Sequence, residues 1–393
     1  MSLVTVTGGV CAPEGFLAAG VSAGLKRTGN PDVALVVSTQ PATVAGVFTR
    51  NNVAAAPVQV SRARLSMGTG RAVVINSGGA NACTGARGLA DAQAMTEAAG
   101  SALGVPADEV FVCSTGLIGA YLPMDKVVAG INNAASSLGV DDGIAARAIM
   151  TTDTVPKLAA VASTHAWHLG GIAKGAGMIS PNMGTMLAVV TTDAVVDRAV
   201  LQAALGRVAD KTFNSITIDG DTSTNDTLLV FANGASGVRP DPTEVESALF
   251  AVCDSLSRQM VADGEGVTKF VTVKVSGASD SADAVKAARA IAESTLVKTA
   301  LFGEDANWGR VASAVGNSGA AARFDGLTIS MAGVRVLTAG AAEGMQAIEA
   351  ARAAMAASDF AIDCDLGVGT GEATILTTDL SADYVHLNAE YEL

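Results

Sequence analysis

Short apolar runs separated by glycine, proline and polar residues fill most of the first half of the chain. Val33–Ser38, Thr43–Arg50 and Arg71–Asn76 are examples, each about as long as a strand. Runs of this length between turn-forming residues are typical of β-strands. A glycine-rich segment, Lys174–Thr185, then leads into another apolar run, Met186–Asp193, which predicts one more buried strand.

The second half changes to helical spacing. Apolar residues recur three and four positions apart over Val195–Thr212 and Pro242–Ala262, which predicts two helices, and Lys269–Ser276 predicts a strand. From about residue 280 to 393, helical and strand patterns alternate in a smaller α/β lobe. The chain's 393 residues also favour two lobes over one core. The predicted fold class is α/β, with mixed sheets and flanking helices.

Composition narrows the choice of partners. The net charge is −13 and no basic run is present, which argues against nucleic acid and anionic membranes. A carboxylate ligand would need local positive groups on such an acidic protein, so Lys174 beside its glycines becomes a candidate.

Neither a signal peptide nor a membrane-spanning run is present, and five scattered cysteines without C-x-x-C spacing predict reduced thiols in a cytoplasmic protein, with no metal site.

Thr185 has two interpretations. A β-branched residue is common at the start of a strand, which is the simpler hypothesis. The alternative is a nucleophile whose own peptide bond, Gly184–Thr185, is cut by the chain itself. After such a cut, one threonine carries both a hydroxyl group and a free α-amine, so the nucleophile has its general base on the same residue.

Two further segments have competing interpretations. Ser114–Gly116 follows an apolar strand and predicts a turn, although the Thr115 hydroxyl and the Gly116 N–H could together form an oxyanion hole. Ser215–Phe231 predicts two strands around a polar turn. Its aspartates could suggest a calcium loop, but the terminal glutamate ligand is missing, so a hydrogen-bonded turn is the better account.

Ten motifs occur in an order that identifies a family resemblance. They are Ala45–Asn51, Asn76–Asn81, Ser114–Gly116, Met150–Asp153, Lys174–Met178, Pro181–Thr185, Asp219–Asp226, Asp263–Gly266, Leu296–Ala300 and Asn307–Arg310. Together they closely resemble the ornithine acetyltransferase (glutamate N-acetyltransferase) family of arginine biosynthesis, over nearly the whole chain.

The resemblance implies a fold shared with the self-processing β-aminopeptidases. It also implies autoproteolysis before Thr185, giving an α chain of residues 1–184 and a β chain of residues 185–393, assembled as an α2β2 heterotetramer. The family commonly has alanine before the nucleophile, and this chain has Gly184. A glycine carbonyl is less hindered and tolerates a strained turn, so we expect cleavage to proceed.

The resemblance also assigns site residues. Thr115 and Gly116 match the oxyanion-hole pair, and Thr185 matches the catalytic nucleophile. The substrate-contacting positions match Thr151, Thr152, Lys174, Thr185, Glu265, Asn388 and Leu393. At the last of these the family usually has a small hydroxyl residue, whereas this sequence has leucine.

The implied reaction moves an acetyl group from N2-acetylornithine to glutamate through an acetyl-Thr185 intermediate, without a cofactor. Family members differ in whether acetyl-CoA also serves as a donor, and the sequence has no obvious CoA phosphate loop. A self-processed aminopeptidase or amidase, with water as acceptor, is a second alternative. A non-catalytic binding protein is a third, and it would require the chain to stay intact.

Overall fold

One long strand, β3 (Val33–Phe48), covers two apolar runs that the sequence predicts as separate strands. Residues 39–41 in its middle are exposed, and its pairing with the following strand shifts register between Val37 and Ala42. A register shift of this kind lets a strand bend while it continues in the sheet. The two predicted strands are therefore one element.

The computed structural model describes residues 3–180 and 186–390, which divide into two units. The first unit contains the chain up to Asn214 together with Asp221–Met260. The second contains Ser215–Gly220 and the chain from Val261 onward. Each unit has its own mixed sheet and its own helices, which confirms the predicted α/β class.

In the part of the first unit that the structure describes, nine strands form one sheet. They are β1 (Leu3–Val6), β2 (Phe16–Val21), β3, β4 (Thr69–Asn76), β5 (Val110–Ser114), β6 (Lys157–Ser163), β7 (His168–Lys174), β8 (Leu187–Thr192) and β9 (Thr227–Ala232). Their order is β1-β6-β7-β8-β9-β3-β4-β5, with β2 paired to β3. β4 runs parallel to β5 and β8 runs parallel to β9, whereas the other pairs are antiparallel.

Helices cover the β4 region on both faces. The helices are α1 (Ala56–Leu65), α2 (Gly85–Leu103), α3 (Met124–Ser136), α4 (Asp142–Ala148), α5 (Arg198–Lys211) and α6 (Pro242–Ala262). Val73 and Ile75 of β4 share a core with the alanines of α4. Ala72 and Val74 share another core with Met95 of α2 and with α3. Because both faces are buried, these strands are continuously apolar instead of alternating with polar residues.

The second unit is a six-stranded sheet with five helices among the residues described. Its strands are β10 (Phe270–Ala278), β11 (Thr328–Met331), β12 (Val334–Thr338), β13 (Ala341–Ala342), β14 (Asp359–Asp365) and β15 (Gly371–Thr378), in the order β13-β12-β11-β14-β10-β15. Its helices are α7 (Ser281–Glu293), α8 (Thr295–Phe302), α9 (Trp308–Gly316), α10 (Met345–Ala354) and α11 (Ala382–Ala389). Val271, Val273 and Ile291 are at the centre of its core.

Two local predictions need correction. Ser215–Ile218 does not pair with β9, because Ile216 instead forms an isolated bridge with Leu376 of β15, within the second unit. The sequence pattern also predicts no helix after residue 381, where the structure has helix α11. The Ser381 hydroxyl accepts a hydrogen bond from Tyr384 N and caps this helix. The helix has only eight residues, which is too short for apolar periodicity to reveal it.

No helix in residues 3–180 or 186–390 has the length and apolar character needed to cross a membrane. The five cysteines are all free thiols, and Cys113, Cys253 and Cys364 are buried.

Candidate active site

Three neighbouring strands bring their ends to one edge of the first sheet. Lys174, the last residue of β7, pairs with Leu187, the first residue of β8. Leu187 in turn pairs with Thr227, the first residue of β9. Met186 and Asp226, each one residue before its strand, therefore lie at the same edge as Lys174. The Met186 N–H donates to Asp226 Oδ1 over 2.8 Å.

Thr115, one member of the predicted oxyanion pair, contacts this lysine. Thr115 follows β5 and is buried, and Lys174 Nζ donates to Thr115 Oγ1 over 3.2 Å. The contact joins residues 59 positions apart in sequence. Since Thr115 Oγ1 accepts from a cation, its own O–H hydrogen remains available, and the positive charge makes it a better donor. Sequence reasoning proposed both residues for the site, and the structure places them together.

Gly116 has a backbone that few other residues adopt. Its φ is +123°, outside the regions open to residues with a Cβ atom. Thr115 N donates to Asn76 O at 2.9 Å and Gly79 N donates to Thr115 O at 3.1 Å, which fixes the loop on either side. Among the residues described, the Gly116 N–H has no hydrogen-bond acceptor. A second donor is thus available beside the Thr115 hydroxyl.

Asn225 ties this loop to the segment that precedes β9. Its Nδ2 donates to Ser114 O at 2.9 Å and to Ala80 O at 2.6 Å, and the side chain is buried. The sequence assigned Asn225 only to a polar turn. One feature of the sequence could have indicated that Asn225 is buried: the run Thr222–Asp226 is polar, yet it immediately precedes a fully buried strand.

A second buried carboxylate organises the predicted substrate-contacting residues. Asp153 accepts hydrogen bonds from Thr151 N at 3.0 Å and from Gly175 N at 2.7 Å. It also accepts from Lys157 Nζ at 2.6 Å, and both side chains of this ion pair are fully buried. Asp153 therefore holds the Thr151–Thr152 turn and the end of β7 in one arrangement, although the sequence analysis predicted no separate role for it.

The pKa values of the two carboxyls move in opposite directions. Burial favours a higher pKa for Asp153, but the charges of Lys174 and Lys157, with the hydrogen bonds from Lys157 and Thr151 N, outweigh it and lower that pKa. Burial raises the pKa of Asp226 well above its usual range, although the Met186 N–H and the charge of Lys174 oppose the shift. Pairs of carboxyls with separated pKa values mark sites of proton transfer more often than ordinary surfaces.

In the second unit, the structure brings together two other predicted contact residues. Asn388 of α11 donates through Nδ2 to Glu265 Oε2 over 2.8 Å and to Tyr384 O over 3.0 Å. Glu265 is half-buried, whereas Asn388 is exposed. Gly266 has φ +63°, and a Cβ atom there would lie 2.4 Å from Tyr384 N, so glycine permits this close approach. The pair presents an acidic group with an oriented amide beside it.

Some predicted residues cannot be placed. Pro181–Thr185, with the proposed cleavage site Gly184–Thr185, lies outside the described residues, as does Leu393. Over the described ranges, no group of three or more His, Cys, Asp or Glu side chains is placed to hold a metal ion. Asp219–Asp226, considered as a calcium loop, is divided between the two units after Gly220.

The fold and the clustered lysine, hydroxyl and backbone donors define an enzyme of the acyl-transfer class. The chain matches the ArgJ family over residues 17–393, and it belongs to that family. It is 50% identical to the arginine biosynthesis bifunctional protein ArgJ of Mycolicibacterium paratuberculosis, over 98% of this chain and 96% of that protein.

Two solved structures are also similar. One is the ornithine acetyltransferase of Mycobacterium tuberculosis complexed with ornithine, at 47% identity and a TM-score of 0.45, covering 47% of this chain and 100% of that chain. The other is the arginine biosynthesis bifunctional protein ArgJ of Bacillus halodurans, at 39% identity and a TM-score of 0.50, covering 52% of this chain and 98% of that chain.

Proposed function

We propose that this protein is a glutamate N-acetyltransferase that moves the acetyl group of N2-acetylornithine to glutamate through an acetyl-Thr185 intermediate. The observation that carries the proposal is the contact between Lys174 Nζ and Thr115 Oγ1, next to Met186, in a member of the ArgJ family. It supports the proposal because it joins a cation to a candidate oxyanion donor, and Lys174 pairs with Leu187, two residues after the proposed nucleophile.

The first step is self-cleavage. Thr185 Oγ attacks the Gly184 carbonyl, and the acyl group shifts from nitrogen to oxygen, which breaks the peptide bond and frees the Thr185 amine. Water then hydrolyses the ester, which releases the Gly184 carboxylate and restores the Thr185 hydroxyl. The length of a solved relative supports this step: the Bacillus halodurans chain is covered to 98% yet matches only 52% of this one. That share is roughly 205 residues, and the fragment from Thr185 to the end would have 209 (393 − 184).

The second step is acetyl transfer. The Thr185 amine takes the proton from Oγ as Oγ attacks the acetyl carbonyl, and the proton passes to the departing ornithine amine. The Thr115 hydroxyl and the Gly116 N–H would stabilise the tetrahedral oxyanion, at about 2.7–4 kcal/mol for one such donor in comparable sites. Glutamate then binds, and its α-amine attacks the acetyl-Thr185 ester.

The charges of the site residues indicate which group of the substrate each residue would bind. Lys174 is a buried cation in a protein of net charge −13, so it would bind the α-carboxylate common to ornithine and glutamate. Thr151 and Thr152 would contribute hydroxyl or backbone contacts from the turn that Asp153 holds. Glu265, oriented by Asn388, is proposed as a substrate contact in the second unit. Leu393 can offer only an apolar contact.

A second activity is favoured by the relatives, because the protein of Mycolicibacterium paratuberculosis is named bifunctional. In this activity acetyl-CoA would acetylate Thr185 in place of acetylornithine.

We further propose that the two fragments assemble as an α2β2 heterotetramer, and that the enzyme works in the cytoplasm, in keeping with its free cysteines.

Mass spectrometry and isotope exchange test the proposal together. Purified protein should show two fragments, with Thr185 as a new N-terminus, and Thr185→Ala should show a single mass. With acetyl-labelled N2-acetylornithine, the wild type should form labelled N-acetylglutamate, and label should appear on the Thr185 fragment when glutamate is omitted. Equally fast release of free acetate without glutamate would instead establish a hydrolase. An active, uncleaved Thr185→Ala protein would contradict the mechanism.

A further inference from the structure

Lys26 is a second lysine beside the predicted substrate-contacting turn, and the sequence analysis predicted no role for it. It is half-buried between β2 and β3, and its Nζ donates to Pro31 O and to Met150 O, each over 2.8 Å. Met150 directly precedes the Thr151–Thr152 turn. Because the Met150 oxygen and the Thr151 nitrogen belong to one peptide unit, the Lys26 ammonium group lies on the order of 5 Å from Thr151 N.

Asp32 fixes the backbone that carries this lysine. Its carboxylate is fully buried and accepts hydrogen bonds from Ala23 N at 2.7 Å, Leu25 N at 2.6 Å and Lys26 N at 3.1 Å. The same segment packs closely on the loop after β4, since a Cβ atom on Gly78 would lie 2.2 Å from Leu25 Cβ. The position of Lys26 is therefore set by backbone contacts as well as by its own side chain.

The ammonium group of Lys26 has one hydrogen left for a ligand. A lysine ammonium carries three N–H donors, and in the described part of the chain this one uses two, for the two carbonyl oxygens. Burial lowers the pKa of Lys26 to about 8, and the charge of Lys174 lowers it further, whereas Asp32 and Asp153 oppose the shift. Lys26 is thus mostly protonated at neutral pH, and it lies close enough to Lys174 for the two charges to repel each other.

Positive charges outnumber negative ones around this turn. Among the described residues, the charged side chains that act on Lys26 or on Asp153, counted with these two, are three lysines and two carboxylates: Lys26, Lys157, Lys174, Asp32 and Asp153. Burial raises the pKa of a further carboxyl, Asp226, well above its usual range, so that group favours its neutral form. In a protein of net charge −13, a local excess of positive charge favours an anionic ligand.

We infer that Lys26 binds the side-chain carboxylate of glutamate, so that the site has one lysine for each carboxylate of this acceptor. The inference rests on the proposed function and deepens it, because it names a residue that selects the acceptor. Lys174 would bind the α-carboxylate, which glutamate and acetylornithine share. The second carboxylate, which acetylornithine lacks, accepts the third N–H of Lys26. The side-chain ammonium group of acetylornithine is repelled by Lys26 and therefore lies away from it.

The test compares Lys26→Met with Lys126→Met. Lys126 is an exposed lysine of α3 whose Nζ donates to Gly24 O at 3.0 Å, so the control also removes a lysine that bonds a carbonyl of the loop between β2 and β3. The two half-reactions are measured separately: formation of the acetyl-enzyme from N2-acetylornithine, and its deacetylation by glutamate or by glutamine. Acetyl exchange by the wild type, measured in parallel, tests the proposed function on its own.

Lys26→Met should lower kcat/KM for glutamate roughly 10- to 100-fold, the range expected when a hydrogen bond between charged groups is lost. Acetyl-enzyme formation and deacetylation by glutamine should each change less than about threefold, because neither acetylornithine nor glutamine has a second carboxylate. Lys126→Met should match the wild type in every assay. Equal losses in both half-reactions, or an unchanged preference for glutamate over glutamine, overturn the inference.

A wild-type measurement decides the case in which Lys26→Met does not fold. Chemical labelling of the Lys26 amine is read on its peptide by mass spectrometry, with Lys126 in the same sample as the reference. N-acetylglutamate at about ten times its dissociation constant should slow the labelling of Lys26 about tenfold, since only the ligand-free protein reacts. N2-acetylornithine, at the same multiple of its own constant, should slow it much less.

Equal protection of Lys26 by the two ligands, or protection by neither, overturns the inference. Exchange of label between N-acetylglutamate and glutamate in the same sample would still support the proposed function. Absence of that exchange, with Lys26 protected by N-acetylglutamate, would instead contradict the proposed function and leave a binding site for the dicarboxylate.

Discussion

Lys174 Nζ and Thr115 Oγ1 are 3.2 Å apart, and through this contact a cation polarises the hydroxyl that would donate to the oxyanion. Lys174 ends β7 and Thr115 follows β5, and these strands are not neighbours in the sheet. Lys174 would thus serve two functions, as a carboxylate ligand and as the group that orients Thr115.

Thr115→Ala should slow acetyl transfer about 100-fold or more, because one oxyanion donor is lost from the transition state. The KM for acetylornithine should change little, since the donor acts mainly on the developing negative charge. Steady-state kinetics of acetyl exchange measure both constants. Thr212→Ala is the matched control: Thr212 is also buried, but its hydroxyl donates to Val208 O of α5. Equal losses in both variants would contradict an oxyanion role.

Asp153→Asn should destabilise the protein by about 3–5 kcal/mol, because it removes the negative charge that the buried Lys157 ammonium contacts. Urea unfolding measures this loss. The double variant Asp153→Leu with Lys157→Met should recover most of the stability, because it removes both charges. The KM of the double variant for acetylornithine should nevertheless stay well above that of the wild type, because Thr151 N and Gly175 N lose the carboxylate that accepts both of their hydrogen bonds. A double variant with normal KM would restrict Asp153 to a stabilising role.

The same aspartate predicts that the stability of the fold depends on pH in the acid range. Its pKa is lowered in the folded state, so its stabilising contribution is present above the ordinary aspartate pKa and is lost as the pH falls through the folded value. Below about pH 4 we expect the unfolding free energy of the wild type to fall steadily relative to that of the double variant, which lacks this carboxyl. Unfolding curves at several acidic pH values measure this difference. A constant difference would contradict the prediction.

Lys298 predicts a dependence of the same sign, at alkaline pH, in the second unit. Burial lowers the pKa of this lysine to about 8, against the opposing charges of Asp379, Asp219 and Glu293. Between about pH 8 and the ordinary value of 10.5, the unfolded chain binds more protons than the folded one, so stability should rise with pH. The gain should be about 3 kcal/mol relative to Lys298→Met, as urea unfolding across this range would show. Parallel pH curves for the two proteins would refute it.

Glu265→Gln should raise the KM for acetylornithine about tenfold, because the variant keeps an oxygen for Asn388 Nδ2 but loses the negative charge. Cleavage at Gly184–Thr185 should remain complete, as intact mass would show. Glu343→Gln, an exposed carboxylate elsewhere in the second unit, is the control and should match the wild type. If the two variants behave alike, Glu265 has no electrostatic part in substrate binding.

Much of this protein could be predicted from the sequence alone. Local periodicity predicted α6 at its observed bounds, Pro242–Ala262, and predicted β8 after the glycine-rich segment, because both signals come from neighbouring residues. The order and identity of the motifs indicated the family. The family resemblance in turn indicated Thr115, Gly116 and Lys174 as site residues. These are properties of residue type and spacing, which a sequence carries directly.

Tertiary structure decided the rest. The link between Asp226 and Met186, the hydrogen bond from Gly175 N to Asp153, and the hold of Asn225 on the Thr115 loop all depend on which strand ends meet in the folded sheet. In the sequence these residues are polar positions beside strands, and burial cannot be predicted from polarity. The protein buries them because each charge or amide finds its partner on a distant segment, and only the folded sheet brings those segments together.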